Sequence, residues 1–129
     1  MCPACREPLV TFELDGVETD HCVACGGTWL DAGELEEIAE RSGGGTAKLR
    51  EALKSAGASK RGKRPCVRCR AKLRGVSLGG VDLDRCPYGH GIWFDKGELA
   101  AVVRSFSGDA GGAVAGYLGE LFKTKLKGE

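Results

Sequence analysis

The sequence predicts a small metal-stabilised α+β fold built twice. Two short three-stranded antiparallel sheets are each closed by four metal ligands and followed by a short helix, with a helical and basic linker between them and a C-terminal helix after them. Three observations lead there. Cys2-x2-Cys5 precedes Cys22-x2-Cys25 by sixteen residues, and Cys66-x2-Cys69 precedes Cys86 and His90 by the same sixteen. The second set repeats the first at an offset of 64 residues. Units of about forty residues, finally, bury too little apolar surface to offset chain entropy unless metals or disulfides help.

The offset extends well past the ligands. Leu9, Leu14, Gly16, Val17 and Asp20 match Leu73, Leu78, Gly80, Val81 and Asp84, and Trp29, Asp31, Gly33, Glu34 and Leu35 match Trp93, Asp95, Gly97, Glu98 and Leu99. Agreement at turn, core and cap positions indicates one small fold used twice. The boundaries expected are 1–41 for the first unit, 42–64 for the linker, 65–106 for the second unit and 107–129 for the C-terminal segment.

In the first unit, Leu9 to Leu14 is a β-prone run, Asp15-Gly16 a two-residue hairpin turn, and Val17 to Cys22 the returning strand. The second unit repeats this with Gly79-Gly80 as the turn. Gly27 to Leu30 and Gly91 to Phe94 are third strands, each carrying a tryptophan inward as a core plug; an exposed platform for base stacking is the alternative for Trp29 and Trp93. Three short strands with two ligand knuckles make a zinc ribbon.

A helix is expected directly after each ribbon, over 32–41 and 96–106, with Asp31 and Asp95 as N-cap acids and Glu34 and Glu98 three residues on. Leu35, Ile38 and Ala39, or Leu99, Val102 and Val103, form the inward stripe. Capping accounts for these carboxylate pairs without invoking acid–base catalysis. Thr46 caps a short helix through Ala56, with Leu49 and Leu53 on one side, and Ala58 to Arg64 reads as a flexible basic linker. A last helix near 111–126 groups Val114, Tyr117, Leu118, Leu121 and Phe122, expected to pack on a ribbon helix, with a membrane or partner surface as the alternative.

Cys2, Cys5, Cys22 and Cys25 form the first predicted site. Four thiolates favour a closed structural zinc, with a rubredoxin-like iron centre or a redox-active Cys-x-x-Cys as alternatives. Cys66, Cys69, Cys86 and His90 form the second, a zinc site of three thiolates and one imidazole, so two Zn2+ per chain are expected. There Gly89 stands where the twin has Cys25, and His90 follows; the alternative makes His90 a turn residue beside an incomplete site. His21, opposite Arg85 in the other copy, reads as an exposed strand residue, with replacement of a ligand as the alternative.

A net charge of +1 hides strong segregation: residues 1–40 sum to −9, residues 41–75 to +11 and residues 76–129 to −1. Lys60, Arg61, Lys63, Arg64, Arg68, Arg70, Lys72 and Arg74 are therefore candidate phosphate contacts for DNA or RNA. The alternative is a solvated linker folded back on the acidic first ribbon. No apolar run reaches the length of a membrane span. Nothing resembles a secretion signal, which leads us to expect a reduced, cytoplasmic protein.

The phrase Cys-x-x-Cys-Gly-Gly-Thr-Trp-Leu-Asp-Ala-Gly-Glu-Leu at 22–35 resembles the bacterial zinc-ribbon family named after transcription factor IIB, and residues 86–99 resemble its histidine-bearing variant. The resemblance covers roughly 1–41 and 65–105 and implies a zinc-binding, non-catalytic domain with a role in transcription. The expected function is a transcription-associated regulator that binds nucleic acid or the transcription machinery, its acidic first ribbon meeting a protein partner. A protein–protein adaptor and a zinc- or redox-responsive switch are the alternatives. No small-molecule substrate is expected.

Overall fold

A computed structural model describes residues 1–14, 16–41, 46–56 and 61–107. The Asp15 turn position, Lys60 and the expected C-terminal helix lie outside these. In each unit a hairpin forms where the period-two runs are: β1 (Val10–Leu14) with β2 (Val17–His21), and β5 (Lys72–Leu78) with β6 (Val81–Arg85). Glycines at the turns take the left-handed backbone that a side chain resists, with Gly16 at φ +82° and Gly80 at φ +81°. The third strands are β3 (Thr28–Asp31) and β7 (Gly91–Phe94).

These strands join edge to edge. With β4 (Arg61–Pro65) at its edge, one seven-stranded antiparallel sheet runs in the order β1-β2-β3-β7-β6-β5-β4. Register across the junction pairs Trp29 with Trp93, Thr28 with Phe94 and Leu30 with Ile92. At the offset of 64, Trp29 and Trp93 are the same position of the repeat, so a local two-fold axis passes between them. The sequence predicts a flexible linker at Arg61 to Arg64; the structure puts them in an edge strand, β4 (Arg61–Pro65), antiparallel to β5 and with an irregular register. Its short, lysine- and arginine-rich composition carries little β propensity, which explains why the pattern did not reveal it.

Alternation along the strands assigns the two faces. On one, Leu14, Val17, Leu30, Val76, Leu78, Leu83, Ile92 and Phe94 meet the helices. These are α1 (Glu34–Arg41), α2 (Thr46–Ser55) and α3 (Glu98–Ser107). The expected inward stripes are the buried ones: Leu35, Ile38 and Ala39 on α1, and Leu99, Val102 and Val103 on α3. A single apolar cluster thus draws on both repeats. On the opposite face Trp29, Trp93 and Leu73 pack with cysteines from both ligand sets. Both tryptophans are 0% exposed, so they plug the core as expected and offer no face to a base. Among the described residues no helix is long and apolar enough to cross a membrane.

His21 departs from the expectation of an exposed strand residue. It is 1% exposed, with Nδ1 3.3 Å from Thr28 Oγ1 and its ring edge-on to Phe12 at 5.3 Å between centroids. It lies on the helix face because β2 alternates Val17, Thr19 and His21 inward.

Close approach at the junction requires glycine on both sides. A Cβ on Gly27 would run into the Trp93 ring, and a Cβ on Gly91 into the Leu30 carbonyl and the Trp29 ring. Gly27→Ala and Gly91→Ala should each cost about 1–3 kcal/mol in urea unfolding of the zinc-saturated protein. Both should also alter the near-ultraviolet signal of the paired indoles. Gly80→Ala, strained at φ +81° but with open space within 4 Å, should cost stability yet leave that signal in place.

Candidate metal centres

Four backbone turns present the ligands. In each, the first cysteine's amide donates to the carbonyl five residues on: Cys2 to Glu7 at 2.7 Å, Cys22 to Gly27 at 2.9 Å, Cys66 to Ala71 at 2.8 Å and Cys86 to Gly91 at 3.0 Å. In three turns the amides of Arg6, Gly26 and Arg70 close back on the first cysteine's carbonyl, and these residues hold φ of 65, 80 and 65°. The fourth turn closes one residue earlier. Gly89 N donates to Cys86 O at 3.1 Å, and Gly89 takes the left-handed backbone at φ 80°. The position that is a cysteine ligand in the first copy is thereby spent on the turn, and the ligand moves to His90. The longer imidazole reaches back, placing Nδ1 3.3 Å from Cys86 Sγ.

The ligand atoms of Cys2, Cys5, Cys22 and Cys25 all lie within 4.8 Å of one another, as do those of Cys66, Cys69, Cys86 and His90. A tetrahedron with metal–sulfur bonds of about 2.3 Å has edges of about 3.8 Å, and about 3.6 Å where nitrogen replaces one sulfur. Cys2 to Cys25 is 3.7 Å, Cys5 to Cys22 is 3.4 Å and Cys69 to Cys86 is 3.7 Å. These separations are far beyond a disulfide bond of about 2.05 Å, and all seven thiols are free. The two clusters fit two zinc ions, one held by four thiolates and the other by three thiolates and an imidazole.

Backbone amides supply the outer support. Ala4 and Cys5 donate to Cys2 Sγ at 3.3 and 3.4 Å, Arg68 and Cys69 donate to Cys66 Sγ at 3.3 and 3.5 Å, and Tyr88 donates to Cys86 Sγ at 3.4 Å. Such donors favour the thiolate that a metal needs. Burial pushes the Cys66 thiol up to about 11. Burial acts the same way on Cys86, but amide and imidazole hydrogen bonds from His90, with the Tyr88 amide, outweigh it and bring that thiol down to about 7.

The tryptophan face also carries two matching carboxylate pairs. Asp31 accepts from Trp29 Nε1 at 2.9 Å and Asp95 accepts from Trp93 Nε1 at 3.1 Å. The Asp31 and Asp95 amides donate to Glu34 and Glu98 Oε1 at 2.7 and 2.8 Å, the reach-back half of the expected capping box. The aspartate side chains themselves turn to arginine instead of the helix. Arg64 bridges Asp84 and Asp95 at 3.3 and 2.7 Å, and Arg68 bridges Asp20 and Asp31 at 2.7 Å each. Arg68 belongs to the second copy and its acids to the first, where Ala4 occupies the matching position. This cross-copy clamp was not read from the sequence; comparing departures at the offset, as well as matches, singles it out. Its guanidinium holds the Asp31 carboxyl below the ordinary value, against the opposing effect of burial.

Of the candidate phosphate contacts, Arg64 and Arg68 are thus engaged with carboxylates, while Arg61, Lys63, Lys72 and Arg74 lie in β4 and β5. Arg70 is exposed beside the third turn, and Lys72 is exposed at the start of β5.

The model of the transcription factor zinc-finger family, a TFIIB-type zinc ribbon, matches residues 1–41 and again residues 65–105. The chain belongs to this family. It carries two tandem TFIIB-type ribbons, in agreement with the paired ligand clusters. No curated protein and no solved structure matches the chain.

His90→Ala should open the second zinc site and pass one zinc to a competing chelator. Gly89→Cys combined with His90→Gly recreates the turn of the first copy and should retain both ions, with metal content giving the readout. A double-mutant cycle of Arg68→Met and Asp31→Asn should return a coupling of about 0.5–1 kcal/mol, small because both groups are half exposed. A lowered carboxyl contributes stability that is present above its unfolded value near about 3.9 and lost as pH falls through the folded value. The coupling should therefore be equal at pH 6 and pH 8, and fall with added salt.

Proposed function

We propose that this TFIIB-type protein is a non-catalytic, cytoplasmic transcription-associated regulator. In this reading its second ribbon contacts nucleic acid, and its acidic first ribbon meets a protein of the transcription machinery. Cys2, Cys5, Cys22 and Cys25 hold one zinc and Cys66, Cys69, Cys86 and His90 the other. Both ions act as structural nuclei, since four protein ligands leave no open coordination position.

The observation that carries the reading is a row of arginines across the second ribbon. Arg74 stands opposite Arg85 in the β5–β6 register, and the backbone of Arg61 pairs with that of Arg74 in β4–β5. Like charges directly opposite destabilise a sheet, and a polyanion laid along them would remove that cost. The first ribbon offers the reverse, with Glu34, Glu36 and Glu37 in the first turn of α1. An adaptor that binds only proteins is the second reading. It is favoured by Arg64 and Arg68, whose charge is already matched by aspartates.

Binding to random-sequence oligonucleotides across a salt series separates the two. The regulator reading expects affinity to fall steeply with salt, the slope shrinking by about 0.7–0.9 for each phosphate contact removed with Arg61, Lys63 or Lys72. An adaptor shows no nucleic-acid binding even at low salt.

A further inference from the structure

We infer that the helix face of the second ribbon holds a site for single-stranded nucleic acid, with a base stacked on Tyr88 and adjoining phosphates held by Lys72, Arg74 and Arg85. The inference rests on the nucleic-acid reading above and names its ligand class and its residues. Two hollows, about 300 and about 370 Å³, adjoin one another by sharing Arg74 and Pro87 in their walls. Lys72 and Tyr88 border one, Arg85 and Ala56, the residue after α2, the other, and no carboxylate is among the described residues lining either, although Arg85 also borders a further hollow that carries Asp31 and Glu36. Arg74 and Arg85 are cross-strand neighbours, and Arg85 is steadied by donating to Leu53 O at 2.9 Å.

Tyr88 is 73% exposed, whereas Trp29, Trp93 and Phe94 are fully buried. It is not a loose loop residue, because its amide donates to Cys86 Sγ and the next amide to Cys86 O. The metal turn therefore fixes the backbone under the ring. An aromatic ring displayed beside cations on a fixed backbone suits unpaired bases, whose faces are free, better than a duplex, whose bases already stack on each other.

The duplication supplies an internal control. At the offset of 64, Lys72, Arg74, Arg85 and Tyr88 correspond to Pro8, Val10, His21 and Ala24. The Val10–His21 pair occupies the same register in β1–β2 that Arg74–Arg85 occupies in β5–β6. The scaffold thus forms without any of the four, and their joint change to three cations and one aromatic in one copy is not demanded by folding.

The test is fluorescence anisotropy of the zinc-loaded full chain with labelled oligo-dT, oligo-rU and a duplex of equal length. The single strands should bind more tightly than the duplex. Tyr88→Ala and Arg74→Val install the first copy's residues and should each weaken single-strand binding by about fivefold or more, while Tyr88→Phe stays within about twofold. Unchanged zinc content and circular dichroism establish that these variants are folded. Equal duplex affinity, wild-type binding by Tyr88→Ala, or equally effective displacement by polyglutamate overturns the site. Binding that survives both substitutions but disappears when Arg61 and Lys63 are neutralised overturns this site and leaves the broader reading standing. No binding of any strand at low salt removes both.

Discussion

Coordination of two metal ions is the constraint from which the rest of the architecture follows. The first ribbon's hairpin is five residues a side and each third strand only four, and a hairpin of that size standing alone is marginal in water. Zinc binding to small domains of this kind supplies about 10–16 kcal/mol at neutral pH. It pins the turn before β1 to the turn between β2 and β3, and the corresponding pair in the other copy. That leaves the third strands in place to pair across the junction. The tryptophans, their glycine neighbours and the cysteines then form one packed face, so metal binding and the β3–β7 contact reinforce each other.

Much of this was legible in the sequence, for identifiable reasons. Ligand spacing, turn glycines and the Leu35–Ile38–Ala39 stripe are local signals, and each unit's strands and helices followed from them. What escaped was non-local. Nothing in Thr28 to Asp31 announces that its free edge meets Gly91 to Phe94, although Trp29 and Trp93 occur at the symmetric place. Burial of His21 depends on Phe12 and Thr28 arriving around it, and a histidine next to a ligand carries no mark of that. The spacing of the aspartates to glutamate predicts side-chain caps; that they grip Arg64 and Arg68 instead depends on chain segments remote in sequence.

The same arginines show why counting charge along a chain overstates what a partner meets. Arg64 and Arg68, both from the basic stretch, are bound to carboxylates on the tryptophan face. On the helix face Arg74 has no carboxylate among the described residues that share its hollows, and Arg85 is held by a helix carbonyl. The fold therefore sorts the cations of one basic stretch, setting Arg64 and Arg68 into ion pairs on one face and Arg74 on the other.

The local two-fold at Trp29 and Trp93 has an evolutionary and thermodynamic reach. A symmetric contact between separate molecules obliges both surfaces to stay identical and makes assembly depend on concentration. With both halves on one polypeptide, docking is unimolecular and proceeds at any dilution. Identity is no longer enforced, so the halves are at liberty to differ, arginine and tyrosine standing in one where valine and alanine stand in the other.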